Sequence, residues 1–106
     1  MAILKTWAEK SNFSYSGSVR QGTTITCGES LSFVVSVTAP EYQALLDHFR
    51  GQTVDIGTSR DIPPHGSVGE WLQSHVTKTA IASYVGPILI VEGYAERIDG
   101  PRIRFK

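Results

Sequence analysis

From position 13 to 37 the apolar residues recur every second position or gather in short β-branched runs, and after position 38 the period lengthens to that of a helix. Phe13-Ser14-Tyr15-Ser16-Gly17-Ser18-Val19 alternates apolar with small polar residues. That spacing places Phe13, Tyr15 and Val19 on one face of a strand and turns the serines outward. A turn at Gln21-Gly22 leads into Thr23-Thr24-Ile25-Thr26-Cys27, and Gly28-Glu29-Ser30 separates this run from Leu31-Ser32-Phe33-Val34-Val35-Ser36-Val37. Short β-branched runs with short connections predict an antiparallel meander.

Thr38-Ala39-Pro40-Glu41 has the Thr-x-x-Glu form of a capping box, with proline tolerated in a first turn. Tyr42, Leu45, Leu46 and Phe49 follow at i, i+3, i+4 and i+7, Val37 is placed to staple onto Tyr42, and Gly51 supplies a stop. A helix over about 39–50 is expected. Thr53-Val54-Asp55-Ile56-Gly57 reads as a short strand. Ser67-Val68-Gly69-Glu70 offers a second capping box to a helix of about 68–76 that turns Val68, Trp71, Leu72 and Val76 inward.

The remainder, 79–106, is rich in isoleucine, valine and tyrosine, and its breaks at Gly86-Pro87 and Asp99-Gly100-Pro101 suggest three strands. Pro101 lacks the amide that would close a two-residue turn onto Ile98, so a three-residue loop is expected. That register sets Glu96 opposite Arg104; the alternative sets Arg97 opposite Arg102, a like-charge pair. The fold class is therefore α+β: a twisted, mainly antiparallel sheet or part-closed barrel of about 6–8 strands with two short helices.

Composition narrows the setting. The chain has 106 residues, the size of a single domain, and at 41% hydrophobic it carries enough apolar material to fold without a metal or disulfides. Ten basic and ten acidic residues cancel, so no global field draws it to nucleic acid or an anionic membrane. The single cysteine, Cys27, closes no internal disulfide and has no basic neighbour in sequence, which favours a buried, inert thiol and a cytoplasmic home. The N-terminus turns polar too soon for a signal peptide, and the most apolar later stretch is broken at Gly86-Pro87; secretion and membrane spanning are not expected.

Chemistry gathers in residues 58–66, Thr58-Ser59-Arg60-Asp61-Ile62-Pro63-Pro64-His65-Gly66, just before the second helix. For a small anionic ligand the candidate contacts are Arg60, His65, Ser67 and Gly69: a guanidinium fork beside helix-start amides, with a glycine permitting close approach. Against this, Ser67 and Glu70 should occupy some of those amides, and Glu70 places negative charge there. A catalytic reading makes His65 or His75 a general base oriented by Asp61 or Glu70. His75 falls on the inward side of the second helix and reads as a hydrogen-bonded core group, whereas His48 falls on a solvated side. The three histidines lack ligand-like spacing, so neither metal nor cofactor is expected.

The last strand alternates Arg102, Arg104 and Lys106 with Ile103 and Phe105. With Arg97 these residues form the candidate nucleic-acid contact set; the plainer reading is defence of a terminal strand against edge pairing, with Glu92 and Glu96 on the neighbouring strand as counter-charges. Trp7 and Trp71 read as core or interface residues rather than stacking platforms. Nucleophile elbow, phosphate loop and dinucleotide fingerprint are all absent. The expected function is a non-enzymatic binding or assembly module with a small anionic ligand or a protein partner, including a second copy joined through a sheet edge. The alternatives are a small hydrolase or isomerase using a histidine–carboxylate pair, and a nucleic-acid-binding protein.

Overall fold

The computed structural model describes residues 2–27 and 33–106; the turn expected at Gly28-Glu29-Ser30 and the first two strand positions after it, Leu31 and Ser32, lie outside the described residues. Among the described residues, seven strands form two antiparallel sheets, accompanied by three helices. The first sheet is a meander of four strands in chain order: β1 (Ala2–Lys5), β2 (Asn12–Ser18), β3 (Gly22–Cys27) and β4 (Phe33–Thr38). Its register aligns Leu4, Phe13, Cys27 and Phe33 in one row and Ala2, Tyr15, Ile25 and Val35 in another. These rows face the core, as the period of two requires. Between them run Ile3, Ser14, Thr26 and Val34 on the outer face. Ser14 is nonetheless buried, so not every serine of β2 is exposed.

Helix α1 (Ala39–Phe49) starts where the capping box places it. Thr38 Oγ1 accepts from the Glu41 amide at 3.3 Å, and the Thr38 amide donates to Glu41 Oε1 at 2.9 Å. Tyr42, Leu45 and Phe49 are buried on one stripe, Gly51 follows with φ +73°, and the helix packs on β3 and β4. Strand β5 (Thr53–Asp55) precedes α2 (Val68–His75), whose N-cap Ser67 accepts from the Glu70 amide at 3.1 Å. Here the box is half formed, because Glu70 reaches back one residue further, to the Gly66 amide.

Three expectations are corrected. The stretch expected to open the run of C-terminal strands is instead a helix, α3 (Ala82–Val91). A continuous apolar run does not separate helix from strand by period, and here the breakers serve helical packing. Pro87 has no amide to give to Ser83, and the Ser83 carbonyl instead accepts from the Trp7 amide at 2.9 Å. Gly86 leaves room for Trp7 and Ile56, whose side chains would crowd a Cβ there. Second, the strands divide between two sheets where one twisted sheet or a part-closed barrel was expected. The second sheet contains β5, β6 (Ala95–Arg97) and β7 (Arg102–Phe105) in the order β5-β7-β6. Third, β7 therefore lies in the centre, and its basic residues do not guard an edge. The three-residue loop at Asp99-Gly100-Pro101 and the pairing of Glu96 with Arg104 are as the turn chemistry predicts.

One hydrophobic core unites both sheets and all three helices. Tyr42, Phe49, Phe105, Ile25, Leu45 and Leu72 are among its fully buried members, each such side chain stabilising the fold by about 1.5–3 kcal/mol before entropy is counted. The stacking of Phe49 on Phe105, centroids 5.1 Å apart, joins α1 to the second sheet. Trp7 and Trp71 both belong to this core.

Candidate functional site

Residues 56–70 are held at both ends. The Ile56 amide donates to the Pro101 carbonyl at 2.7 Å, and the Ile56 carbonyl accepts from the Gly69 amide at 2.9 Å. Gly57, at φ +67°, brings its backbone against α2, and a Cβ on Gly69 would overlap the Gly57 carbonyl. Gly69 is thus a packing glycine with its amide engaged. Ser67 is 1% exposed and spends its hydroxyl on the cap.

Of the four residues expected to meet an anion, only Arg60 and His65 stand at the surface. Arg60 is anchored through its carbonyl, which accepts from Gln73 Nε2 at 3.1 Å. His65 Nδ1 lies 3.2 Å from Glu70 Oε2, with the imidazole side chain 97% exposed. The Gly66 amide, donating to Glu70 Oε1 at 2.9 Å, is the main cause holding the Glu70 carboxyl below its ordinary value; partial desolvation opposes it and His65 adds to it.

The catalytic candidates divide. Asp61 and Glu70 share the wall of a 450 Å³ cleft with Gln73, Ser74 and Lys78, but His65 is not among the residues lining it. The imidazole is held on one side only and faces water, a poor setting for a general base that must keep one tautomer against a bound substrate. Among the described residues, no group of three His, Cys, Asp or Glu side chains is arranged to hold a metal ion.

His75, expected within the core, is exposed. It is the last residue of α2, so no following turn covers it; its ring stacks on Trp71 at 4.2 Å and its Nδ1 lies 2.9 Å from the Trp71 carbonyl. His48 is exposed, as its helical position predicts. Cys27 is buried, its thiol donating weakly to the Phe33 carbonyl at 3.8 Å.

Of the four candidate nucleic-acid contacts, the three arginines are committed within the chain. Arg97 lies 4.2 Å above the Trp7 ring and donates to the Trp7 carbonyl at 2.9 Å and the Gly100 carbonyl at 3.0 Å. Arg102 grips Asp99 Oδ2 with two nitrogens at 2.9 and 2.7 Å, and Arg104 pairs with Glu96. Lys106 is exposed.

Two features escaped sequence reasoning. Glu92, expected on a strand beside the arginines, is the C-cap of α3. It accepts from the Tyr15 hydroxyl at 2.8 Å and the Val19 amide at 2.9 Å, tying the first sheet to α3. The second is a 550 Å³ cleft where Trp7, residues 55–59, Pro64 and the hairpin tip at Gly100 and Pro101 converge. Thr58 and Ser59 were visible as loop hydroxyls, but no local pattern announces that the first and last segments of the chain meet beside them.

No protein-family model, curated protein or solved structure matches this chain.

Proposed function

We propose that the chain is a non-enzymatic binding and assembly module that joins a second copy of itself through the edge of β4. The observation that carries this reading is a contrast among the four sheet edges. β1 has four residues and ends on Lys5; β5 has three and ends on Asp55; β6 has three, of which Glu96 and Arg97 are charged. Short length and charge are the usual protections of an edge. β4 has six residues, Phe33-Val34-Val35-Ser36-Val37-Thr38, with neither charge nor proline, and among the described residues it pairs only with β3. Val34 is 56% exposed at its outer face.

An antiparallel copy of β4 satisfies the open backbone groups of the first under two-fold symmetry and opposes no like charges. Two four-stranded sheets become one of eight. A single paired edge buries little surface, so the complex belongs at the weak end of interfaces and is expected to depend on concentration. Light scattering should give a mass that rises toward twice 11.6 kDa with concentration. The double variant Val34→Lys/Ser36→Lys should remain monomeric. A monomer at every concentration, or an oligomer indifferent to that variant, overturns the reading.

The single buried cysteine suits a reducing, cytoplasmic setting, and no helix among the described residues is long and apolar enough to cross a membrane. The anionic-ligand part of the reading rests on Arg60 and His65 alone.

Connectivity favours a second reading. From α1 onward the order helix, strand, helix, helix, hairpin is that of a helix-turn-helix unit followed by a β-hairpin, an arrangement used to dock nucleic acid. The helix that would enter a groove, α3, contains no basic residue and lies partly under the first sheet. Trp7 bonds to Ser83, and Tyr84 packs edge-on against Phe13 with centroids 5.2 Å apart. Nucleic acid would thus meet the hairpin alone, through Arg97, Arg102, Arg104 and Lys106, of which the three arginines have partners within the chain. Binding to a labelled duplex that weakens steeply with salt would support this second reading; no binding at low salt removes it.

A further inference from the structure

The cleft at the hairpin tip is built from parts of the chain that lie far apart in sequence, and its walls are cross-tied before any ligand arrives. Trp7 Nε1 donates to the Gly100 carbonyl at 2.6 Å, Arg97 covers one part of the indole, and Gly86 packs closely against another. The facing wall is fixed by the bonds from Ile56 to Pro101 and from Gly69 to Ile56. At 550 Å³ it falls in the size range of small-molecule sites.

The groups left to meet a ligand decide its charge. The Trp7 indole N–H is engaged with Gly100, Arg97 with the Trp7 and Gly100 carbonyls, and Arg102 bonds to Asp99 while its charge also reaches Asp55 across the ladder. Asp55 is the one charged residue among those lining the cleft, joined by the hydroxyl of Thr58 and by that of Ser59, whose oxygen already accepts from the Ile62 amide at 3.2 Å; Ile56, Pro64 and Pro101 supply apolar wall. A carboxylate at the rim of an apolar pocket strengthens the binding of a cation that donates to it and penalises an anion. Because both the Arg97 guanidinium and Gly86 already lie against the Trp7 ring, a ligand meets the indole at its rim and does not stack on it.

We propose that this cleft binds a small organic cation, a protonated amine carried on an apolar body, with Asp55 as its counter-charge. The charge preference is opposite to that expected for Arg60 and His65, and the site is independent of β4, so either proposal can fail while the other stands.

The test is a two-dimensional ¹H–¹⁵N NMR titration of the full chain with phenethylammonium chloride, alongside 2-phenylethanol and 3-phenylpropionate at equal concentration. The ammonium ion should move the amides of Gly57, Thr58 and Ser59 and the Trp7 indole signal along one saturable curve while the Trp71 indole stays still. Asp55→Asn should weaken that curve about tenfold or more. Equal shifts from the carboxylate or the neutral alcohol, shifts that do not saturate, or an Asp55→Asn curve unchanged from the parent would overturn the site. The comparison of three probes on the unaltered chain stands even if the variant fails to fold.

Discussion

The two sheets are assembled by different means. In the first, neighbours in space are neighbours in sequence, and the tight Ser18–Gly22 connection sets the pairing of β2 with β3. In the second, two helices separate β5 from the hairpin that joins it, and β7 slots between β5 and β6. Local turn chemistry therefore specifies the first sheet, and packing of distant elements specifies the second. The second sheet consequently depends on a few close joints between elements, above all the meeting of Gly57 with Gly69.

Breaking that joint should give the largest effect. Gly69→Ala drives a methyl group into the Gly57 carbonyl, which is backbone and cannot swing aside as a flexible side chain would. A loss of about 3 kcal/mol in urea-melt stability is expected. Gly51→Ala, where φ is +73° but nothing lies within 4 Å of an added Cβ, should cost only about 1 kcal/mol of backbone strain. Because one core spans both sheets, the Gly69 variant should still melt in a single transition by fluorescence and by circular dichroism. Equal losses in the two variants would show that the joint is no tighter than an ordinary turn.

The link between the regions should be sensitive to alkaline pH. Burial first, then the hydrogen bond and charge of Glu92, push the Tyr15 hydroxyl up to about 12, and burial followed by Cys27 does the same for Tyr84. A folded-state value above the ordinary 10 means that the neutral phenol is favoured by folding. Its contribution is fully present below pH 10 and is lost as pH rises through about 12. Urea midpoints should therefore fall across that window. Tyr15→Phe should flatten the fall and, at pH 7, cost about 1–2 kcal/mol for the bond to Glu92. A pH dependence identical in the variant and the parent would remove Tyr15 as its source.

These differences explain what the sequence disclosed. The α1 cap was legible because Thr38 and Glu41 satisfy each other within one turn, and the β6–β7 register was legible because Pro101 and the charges of Glu96 and Arg104 act within one hairpin. The helical state of α3 was not, since the Ser83 carbonyl finds its substitute donor in Trp7, far away in sequence. The central position of β7 and the role of Glu92 were hidden for the same reason. At the candidate site, the residue types of 58–70 were legible as chemistry, whereas the burial of Ser67 and the engagement of the Gly69 amide with Ile56 were not. The Trp7 cleft needed both ends of the chain together.

The smallest expected effect concerns the charged ladder of the second sheet, which has no counterpart on the outer face of β2 to β4. Arg104 and Glu96 are cross-strand neighbours with side chains 56% and 41% exposed. Exposed pairs are worth about 0.2–1 kcal/mol and are screened by salt. Arg104→Ala should lower stability by that amount in dilute buffer, and the difference from the parent should close in about 0.5 M salt. If Arg104→Ala instead left stability unchanged at both salt concentrations while weakening attachment to a labelled duplex, the arginine would be serving a partner rather than Glu96, and the hairpin would replace β4 as the surface through which this chain meets other molecules.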